Sequence, residues 1–552
     1  MLKHELAGCL REAVAGAQRT GDLPASAVPE LVIEHPQNAE NGDFASGLPM
    51  KLARAMKLSP MIIADRLLKH LSPPPQIERV WVAAPGFINF IIQDDWLAQQ
   101  VEAILHAGEA YADIQLGEGR RVQVEFVSVN PTGPLHVGHG RGAVLGSTLA
   151  NVLSASGYTV EKEYYLNDMG NQVDRFGQSL YVRYRQCLDG EAVMPEDGYL
   201  GDYLIDLARE LAEEQGDRYL ALPESEAIAQ LAETGTARMV RGIRGDLELL
   251  DVRFDVWFSE RSLYEGRQYD RVMQLLRDGG HVTERENAVW FESSALGEDK
   301  DNVLVRSDGS PTYFASDIAY HYNKLVERGF DWVIDIWGAD HQGHVPRMKA
   351  VLRALGKDPE QLTVLLCQLV TLRRGQEIVR VSKRSGDMVT LRELLDEVGA
   401  DACRFFFLSR SADSQMDFDI ELAKKQSADN PVYYVQYAHA RIASILRFAR
   451  QQGIDSSAGD VSLLNSEPEL TLIRRLLLLP EILEQVACTL EPHHLPYYAQ
   501  DLATVFHSFY KQCRVVSEDR QMTGARLKLV EASQIALARV LHLMGMTAPE
   551  QM

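Results

Sequence analysis

Residues 122–142 predict a buried strand, a sharp turn and a helix in immediate succession. Apolar residues dominate 122–129, and the segment Asn130-Pro-Thr-Gly-Pro134 then breaks the extended pattern. From Val137 onward apolar residues recur at helical spacing until Gly157, a residue typical of a helix C-terminus. A strand followed directly by a helix is the repeating unit of a parallel sheet, so this stretch predicts a doubly wound α/β domain.

Two histidines, His136 and His139, flank the start of this predicted helix. The first turn of a helix has unpaired N–H groups and a partial positive charge, which attract phosphate, and imidazoles there can donate to phosphate oxygens as charge develops. The absence of a Cβ at Gly138, Gly140 and Gly142 would let a base or ribose approach the backbone. A His-x-x-His pair can instead bind a metal, but no third ligand is evident nearby, so we favour nucleotide binding.

The length and charge of the chain limit its organisation. With 552 residues it is too long for one hydrophobic core, so we expect about two to four domains. The formal net charge of −22 argues against indiscriminate binding of nucleic acid, and a nucleic-acid partner must then meet local basic patches. Composition alone favours a metabolic enzyme with a small substrate. We give the histidine motif more weight because it names specific donor atoms.

Cysteine usage and hydropathy predict where the chain works. The six cysteines are scattered and form no Cys-x-x-Cys pair. No apolar run approaches the roughly 18 residues that span a bilayer, and the first residues lack the basic-then-apolar layout of a secretory signal. We therefore expect a cytoplasmic protein with reduced thiols and without a membrane segment, a disulfide framework or structural zinc.

The motif at the predicted helix start resembles a known family. The run Pro134-Leu-His136-Val-Gly138-His139 resembles the His-x-Gly-His signature of class I aminoacyl-tRNA synthetases, and the longer run from Glu125 to His139 resembles arginyl-tRNA synthetases in particular. The resemblance covers essentially the whole chain. It implies that arginine attacks ATP to give arginyl-adenylate and pyrophosphate, and that the terminal adenosine of tRNA(Arg) then takes the arginyl group, releasing AMP. The implied partners are L-arginine, tRNA(Arg) and ATP with Mg²⁺, and we expect a monomer.

Three domains are expected. Residues 1–115 predict an α+β domain, which in this family contacts the elbow of the tRNA. Residues 116–396 predict a Rossmann-like catalytic domain with an acidic helical insertion at about 186–285. Residues 397–552 predict an all-helical bundle, and Asp401-Ala-Cys-Arg404 resembles the Asp-Ala-Leu-Arg motif of the anticodon-binding domain that arginyl and cysteinyl enzymes share.

Two further loops complete the predicted ATP site. An apolar strand ends in Gly338-Ala-Asp340-His341, and the carboxyl ends of parallel strands suit ribose and base contacts. A later basic loop resembles the second class I signature, Lys-Met-Ser-Lys-Ser, and such a loop can close on the β- and γ-phosphates. The resemblance implies catalytic roles for His136, His139 and Lys383, and ATP binding by Gly138, Gly140, Gly338, Asp340, His341, Arg380, Val381 and Ser382.

A separate set of residues is predicted to bind arginine. Tyr313 and Asp317 are four residues apart, so they share one face of a helix, and a carboxylate there could pair with a guanidinium. Asp317 could equally cap the helix N-terminus, but the resemblance favours arginine binding. The resemblance also implies that Ser128, Asn130 and Gln342 bind arginine, with Glu125 supporting them from the strand.

The tRNA contacts are predicted from the resemblance. Phe44 and Asn89 lie in N-terminal motifs of the family, which implies exposed aromatic or amide side chains that stack on the tRNA. Tyr434 and Tyr437 lie three apart on one helix, and the family places such tyrosines at the anticodon loop, although tyrosines at this spacing are more often core residues. Met552 resembles the family's terminus and is the last predicted tRNA contact.

Three alternatives remain at this stage. A cysteinyl-tRNA synthetase shares the bundle but needs a cage of Cys and His around zinc, which the sequence lacks. A non-catalytic RNA-binding relative would not need His136, His139 and Lys383. A nucleotidyltransferase without RNA would leave the C-terminal bundle unexplained.

Overall fold

The computed structural model describes residues 1–188, 190–379 and 389–552. The first domain is α+β, and its three strands form an antiparallel sheet in the order β1-β3-β2. Its elements are α1 (Leu2–Thr20), β1 (Phe44–Ser46), α2 (Leu48–Met56), α3 (Pro60–His70), β2 (Ile77–Ala83), β3 (Phe87–Ile92) and α4 (Asp94–Ala107). The hairpin of β2 and β3 turns at Pro85-Gly86.

The central part of the chain begins with the predicted strand and helix. Its elements are β4 (Arg121–Glu125), α5 (Val137–Ala155), β5 (Thr159–Leu166), α6 (Asn171–Leu188), α7 (Asp202–Gln215), α8 (Glu224–Leu249), β6 (Val256–Ser259), α9 (Arg261–Glu265), α10 (Gln268–Asp278), β7 (Val282–Arg285), β8 (Ala288–Phe291), β9 (Asn302–Val305), α11 (Tyr313–Tyr322), β10 (Trp332–Gly338), α12 (Val345–Ala354), β11 (Leu362–Cys367), β12 (Val370–Arg374) and β13 (Glu377–Ile378).

Five of these strands form one parallel sheet in the order β11-β10-β4-β5-β6. The strand order runs outward from β4 in both directions, so the topology reverses between β4 and β10. Ligands of such sheets bind beyond the carboxyl ends of the strands at this switch point. The predicted doubly wound α/β fold is therefore confirmed, and α5 begins beside the switch point.

Helix α5 lies very close to the sheet because of one glycine. A Cβ placed on Gly146 would lie 2.2 Å from the ring of Phe126, the residue that follows β4. A real Cβ cannot approach an aromatic ring so closely, so only glycine allows this packing. Gly146 therefore determines how closely α5, the helix that begins at the two histidines, packs on the sheet.

The apolar runs at 288–292 and 302–306 predict that the parallel sheet resumes there, and this prediction is wrong. Strand β8 pairs antiparallel with β7 on one side and with β9 on the other, in a separate sheet. The parallel sheet instead resumes at β6, inside the range predicted as an insertion. The short run Val256-Trp-Phe-Ser259 lies between acidic helical segments, so the sequence did not identify it as a strand. The helices α6, α7 and α8 do share a small hydrophobic core of their own.

The C-terminal region is a helical bundle with one strand. Its elements are α13 (Leu391–Val398), α14 (Ala400–Leu408), β14 (Met416–Asp419), α15 (Ile420–Lys424), α16 (Pro431–Gln451), α17 (Glu467–Leu476), α18 (Leu479–Thr489), α19 (His494–Gln512) and α20 (Arg520–Leu543). Strand β14 pairs in parallel with β12, so the prediction of helix throughout 397–552 is wrong at this point.

The N-terminal domain packs directly on this bundle. Arg474 Nε lies 2.6 Å from Asp43 Oδ1, and Lys528 Nζ lies 2.5 Å from Glu102 Oε1. The buried hydroxyl of Tyr111 donates to a backbone carbonyl of α17 over 2.8 Å. Apolar residues of the N-terminal domain, the sheet and the bundle form one continuous core. None of the helices in the described ranges is both long and apolar enough to cross a bilayer.

Candidate active site

The two histidines of the motif cap the N-terminus of α5. His136 is the N-cap residue, and its Nδ1 accepts from the backbone N–H of Gly138 over 3.1 Å. His139 Nδ1 accepts from the backbone N–H of His136 over 3.2 Å. The two rings stack with their centroids 3.4 Å apart. The sequence therefore uses both side chains to satisfy N–H groups that a helix start leaves unpaired.

This capping determines which imidazole nitrogen carries the proton. Because Nδ1 of His136 and of His139 accepts a hydrogen bond, the neutral ring of each carries its proton on Nε2. Two Nε2–H donors are thus held in place at the positive end of a helix. Such preorganised donors are suited to the oxygens of a phosphate on which negative charge develops.

The glycines of this helix serve two different purposes. A Cβ on Gly142 would meet nothing within 4 Å, and one on Gly138 would come no nearer than 3.1 Å to the ring of His136. A Cβ on Gly140, in contrast, would lie 2.7 Å from Leu391 and 3.2 Å from Phe407. The space on the Cβ side of Gly140 is filled by protein, so this glycine allows close packing of α5, and its predicted contact with ATP stays a prediction.

The loop after β4 departs from extended structure earlier than predicted. Strand β4 ends at Glu125, although the apolar pattern continues to Val129, because Val127 and Ser128 adopt positive φ angles of 69° and 41°. A β-branched residue at positive φ is strained, and such strain is found mainly where a site requires it. The hydroxyl of Tyr164 fastens the loop by donating to the carbonyl of Val129 over 2.9 Å.

Two predicted arginine ligands follow in this loop. The hydroxyl oxygen of Ser128 accepts from the backbone N–H of Tyr165 over 3.1 Å, which ties the loop to the end of β5. The amide of Asn130 donates to Gln172 Oε1 over 2.5 Å. Both side chains thus lie at the carboxyl edge of the sheet, where the prediction requires them.

Glu125 belongs to a buried charge cluster under the site. Lys324, which is fully buried, donates to Glu125 Oε2 over 2.5 Å and to Asp335 Oδ1 over 2.9 Å. His321 Nε2 donates to the other oxygen of Asp335 over 2.9 Å. Burial raises the pKa of Glu125, whereas Lys324 and His321 overcome the effect of burial on Asp335 and lower its pKa to about 2. Glu125 is therefore held by Lys324 at the end of β4, and its predicted support of the arginine ligands in the next loop stays a prediction.

Asp317 is not a helix cap. It lies in the second turn of α11, whose N-cap is Thr312, so the capping alternative is wrong. Its Oδ2 lies 2.9 Å from His344 Nε2, and its backbone carbonyl accepts from Nδ1 of His321 over 2.8 Å. Tyr313, one turn earlier, has a relative exposure of 51%. The carboxylate is thus fixed at the surface of the site beside an accessible aromatic ring.

A second carboxylate, which the sequence does not predict, lies near Asp317. Glu260 directly follows β6 and is buried, and the amide of Asn167, with its nitrogen turned toward the carboxylate, donates to Glu260 Oε2 over 2.9 Å. Burial, and then the negative charges of Asp317 and Asp168, raise the pKa of Glu260 to about 7, although hydrogen bonds from the side chains around it oppose the rise. The sequence signal that could have identified Glu260 is the one used for the loops after the other strands: a polar residue directly follows an apolar strand.

The predicted adenosine loop is open to solvent. After Gly338, which ends β10, the residues Ala339–His344 form a 3-10 helix, and the side chains of Asp340 and His341 are 84% and 63% exposed. Gln342 is also exposed. These groups lie at the end of the strand next to β4, where they can meet a ligand. The predicted ATP-loop residues Arg380, Val381, Ser382 and Lys383 lie outside the described residues.

The predicted tRNA contacts divide into two groups. Phe44 and Asn89 have relative exposures of 4% and 1%, so the prediction that they are exposed for stacking is wrong. They lie on the paired strands β1 and β3, inside the N-terminal domain. Tyr437 is 38% exposed and stacks on Tyr433. Tyr434 is only partly exposed and packs against His507. Met552, at the C-terminus, is exposed.

One group of metal-ligating side chains occurs among the residues that the structure describes. The ligand atoms of Glu491, His493 and His494 lie within 4.8 Å of one another, at the start of α19 in the bundle. The group contains no cysteine and does not include the histidines of α5. It therefore lends no support to the zinc cage that a cysteinyl enzyme would need.

Known proteins resemble this chain along its whole length. Family models match at residues 2–92 (arginyl tRNA synthetase N terminal domain), 100–409 (tRNA synthetases class I (R), catalytic domain) and 435–552 (DALR anticodon binding domain). An arginine–tRNA ligase of Dehalococcoides mccartyi is 57% identical over 551 residues, which cover 100% of this chain and 99% of that protein. The chain belongs to the arginyl-tRNA synthetase family.

Other members of the arginyl-tRNA synthetase family agree. An arginine–tRNA ligase of Heliobacterium modesticaldum is 48% identical and covers 100% of this chain and 99% of its own. The solved structure of the Thermus thermophilus arginyl-tRNA synthetase superposes with a TM-score of 0.78 at 24% identity, over 99% of this chain and 100% of that one, which supports the fold. The chain is therefore an arginine–tRNA ligase that charges tRNA with arginine in two steps, and the three alternatives are wrong.

Proposed function

We propose that ATP and L-arginine bind side by side at the carboxyl edge of the parallel sheet. One observation carries this assignment: the two Nε2–H donors at the start of α5 and the carboxylates of Asp317 and Glu260 belong to the same edge of the sheet. The donors suit a triphosphate and the acids suit a guanidinium. Adenylate formation at such a site needs alignment and charge stabilisation, and no covalent protein nucleophile.

In the proposed ATP site, His136 and His139 donate to the phosphates, and Gly138 leaves the backbone accessible. Gly338, Asp340 and His341 contact the adenosine. Mg²⁺ arrives with ATP as its complex. Lys383 offsets charge on the leaving pyrophosphate, and Arg380, Val381 and Ser382 form the rest of that loop. These four roles rest on the sequence resemblance.

In the proposed arginine site, Asp317 and Glu260 pair with the guanidinium and the ring of Tyr313 covers it. A cation that meets two fixed carboxylates is held in one orientation by bidentate hydrogen bonds. Ser128, Asn130 and Gln342 bind the polar groups around the α-carbon. Glu125 does not touch the substrate, because Lys324 occupies its carboxylate, and it acts by holding the loop after β4.

Replacing Asp317 with asparagine will weaken arginine binding much more than ATP binding. Asparagine keeps an acceptor for His344 but loses the charge, and a hydrogen bond to a charged group contributes about 1.5–3 kcal/mol, or roughly a 10- to 150-fold rise in KM for arginine. Steady-state ATP–pyrophosphate exchange measures both KM values. Asp270→Asn, an exposed acid on α10, is the matched control and changes neither. An equal rise in both KM values for Asp317→Asn would contradict the assignment.

The raised pKa of Glu260 predicts a pH dependence of arginine use. Below a pH of about 7 the carboxyl group is protonated and loses its attraction for the guanidinium, so kcat/KM for arginine falls with decreasing pH, approaching tenfold per unit. The Glu260→Gln variant has no charge to lose at this position. Its activity will be weaker, and its kcat/KM for arginine will not show this fall below pH 7. The pH profile of kcat/KM for ATP at saturating arginine is the control, because bound arginine keeps Glu260 ionised. If kcat/KM for arginine still falls below pH 7 in Glu260→Gln, the titrating group is not Glu260.

For tRNA we propose that exposed and partly exposed rings on α16 and α19 contact the anticodon loop. Arg441 lies over the rings of Tyr437 and Tyr510, at 5.7 and 4.7 Å from their centroids, and donates to the hydroxyl of Tyr437. Aromatic rings backed by a guanidinium offer unstacked bases a surface to stack on. Tyr434 and Met552 border this surface in the proposal. The N-terminal domain contacts the tRNA elbow through residues other than Phe44 and Asn89.

Three broader features complete the proposal. The N-terminal domain spans 1–115, the catalytic domain 116–396 and the bundle 397–552, and the enzyme acts as a monomer in the cytoplasm. Charging of bulk tRNA with each of several radiolabelled amino acids tests the function directly, with arginine as the expected substrate. Sedimentation of the purified protein tests the oligomeric state.

A further inference from the structure

Glu260 lies between two short elements of the fold. Strand β6 (Val256–Ser259) has four residues and is an edge strand of the parallel sheet, where β5 is its neighbour on one side. Helix α9, which follows Glu260, has five residues. A short edge strand and a single helical turn fix their own backbone weakly, because few hydrogen bonds hold each residue. The position of this carboxylate therefore depends on contacts from other parts of the chain.

The segment after β5 supplies such contacts through Asp168, a partly buried residue. Asp168 Oδ2 accepts from the hydroxyl of Ser259 over 2.5 Å, and Oδ1 accepts from the backbone N–H of Arg261 over 3.2 Å. The guanidinium of Arg261 donates in turn to the backbone carbonyl of Asp168 over 3.3 Å. A single carboxylate therefore bonds both the residue before Glu260 and the residue after it.

Asp168 does not serve as a helix cap, although aspartate between a strand and a helix is often an N-cap. Helix α6 begins at Asn171, three residues later, and both carboxylate oxygens of Asp168 bond the segment around Glu260 instead. Burial is the main reason that the pKa of Glu260 is raised, and the charges of Asp317 and Asp168 add to that effect. The fold thus places a negative charge beside Glu260 in spite of an electrostatic cost.

The group that Glu260 is proposed to bind explains why its orientation matters. A guanidinium is planar, and it forms two parallel hydrogen bonds only with a carboxylate that lies in its own plane. Asn167, the neighbour of Asp168, holds one oxygen of Glu260 at 2.9 Å. The backbone contacts of Asp168 and the side-chain contact of Asn167 therefore determine together where the carboxylate lies and which way it faces.

We propose that Asp168 is a positioning residue of the arginine site, which fixes the carboxylate of Glu260 in the orientation that a guanidinium requires before arginine binds. Both oxygens of Asp168 are bonded to protein, so it acts through Glu260 and not on the substrate. Such preorganisation lowers KM for arginine, because the acid need not be ordered at the moment of binding. This inference rests on the proposed role of Glu260 and adds a residue on which that role depends.

The test compares two variants that both lack the charge of Asp168. Asp168→Asn keeps an acceptor for the N–H of Arg261 and a partner for the hydroxyl of Ser259, whereas Asp168→Ala keeps neither. ATP–pyrophosphate exchange with tRNA(Arg) measures both KM values at about pH 8.5, above the pKa of Glu260. We expect KM for arginine to be about 3- to 12-fold higher in Asp168→Ala than in Asp168→Asn, since one side chain must then be ordered on binding, and KM for ATP to differ by less than about twofold.

Two further variants complete the experiment. Asp174→Ala, which removes an exposed acid from α6, will change neither KM value. Ser259→Ala removes one of the two hydrogen bonds from the other side, so it will raise KM for arginine by a smaller factor and leave KM for ATP unaltered.

Three results would overturn the inference. The first is an equal KM for arginine in Asp168→Ala and Asp168→Asn. The second is an equal rise of both KM values in Asp168→Ala, which would indicate a general distortion of the sheet edge. The third, which decides the matter if Asp168→Ala does not fold, is an unchanged KM for arginine in Ser259→Ala. If Glu260→Gln itself leaves KM for arginine unaltered, the proposed arginine site fails, and the inference fails with it.

Discussion

Replacing His139 with asparagine will lower the rate of arginyl-adenylate formation about 10²–10³-fold, the usual cost of removing one preorganised donor to a developing negative charge. Asparagine suits this test because its side-chain oxygen can take the place of Nδ1 and still accept from the backbone N–H of His136, so the helix start stays capped. What it cannot replace is the Nε2–H donor. Arginine-dependent ATP–pyrophosphate exchange in the presence of tRNA measures the rate.

The control for this variant is His106→Asn, which changes an exposed histidine on α4 and leaves the rate unaltered. Thermal unfolding of both variants shows whether the helix cap is intact. A well-folded His139→Asn enzyme that forms adenylate at the unsubstituted rate would remove His139 from the mechanism, and with it the proposed orientation of the triphosphate.

Replacing Lys324 with methionine will lower the free energy of unfolding by about 3–5 kcal/mol, because Glu125 and Asp335 then share a buried site without their bridging cation. The loss will be smaller at low pH: burial already raises the pKa of Glu125, and protonation removes one of the two facing charges. Urea denaturation at several pH values, followed by circular dichroism, measures both effects.

Lys349→Met is the matched control for this experiment. Its ammonium group pairs with Glu360 at 3.0 Å on the surface, where an ion pair contributes at most about 1 kcal/mol. The double variant Lys324→Met with Glu125→Gln removes one buried negative charge as well and will recover part of the lost stability. If the Lys324 and Lys349 variants unfold at the same urea concentration, the buried cluster is not a major source of stability.

The parts of the fold that the sequence predicted well have strong local signals. The succession of strand, turn and helix at 122–142 has its own turn residues and a change of hydrophobic period, and the structure confirms it as β4 and α5. The end of β4 was misplaced because Val127 is a good strand residue by propensity, whereas its positive φ occurs in a loop that the hydroxyl of Tyr164 holds through Val129. The pairing of β6 with β5 is non-local, so the hydrophobic pattern of the sequence does not predict it.

The site shows the same division. His136, His139, Asp317 and the loop after β10 could be proposed from the sequence because each follows a recognisable break in an apolar run. Glu260 was missed because its strand is only four residues long and lies in a stretch dominated by helices. Burial was also beyond reach: an aromatic residue within a motif can serve the core or a ligand, and Phe44 proves to belong to the core.

The contact between the first domain and the bundle has a consequence for biosynthesis. Asp43 and its partner Arg474 are separated by 431 residues. At translation speeds of about 5–20 residues per second, the nascent N-terminal domain must wait roughly 20–90 s before that arginine leaves the ribosome. During this interval the face that later receives the bundle is uncovered, so a ribosome that stalls late in the message leaves the first domain without its partner.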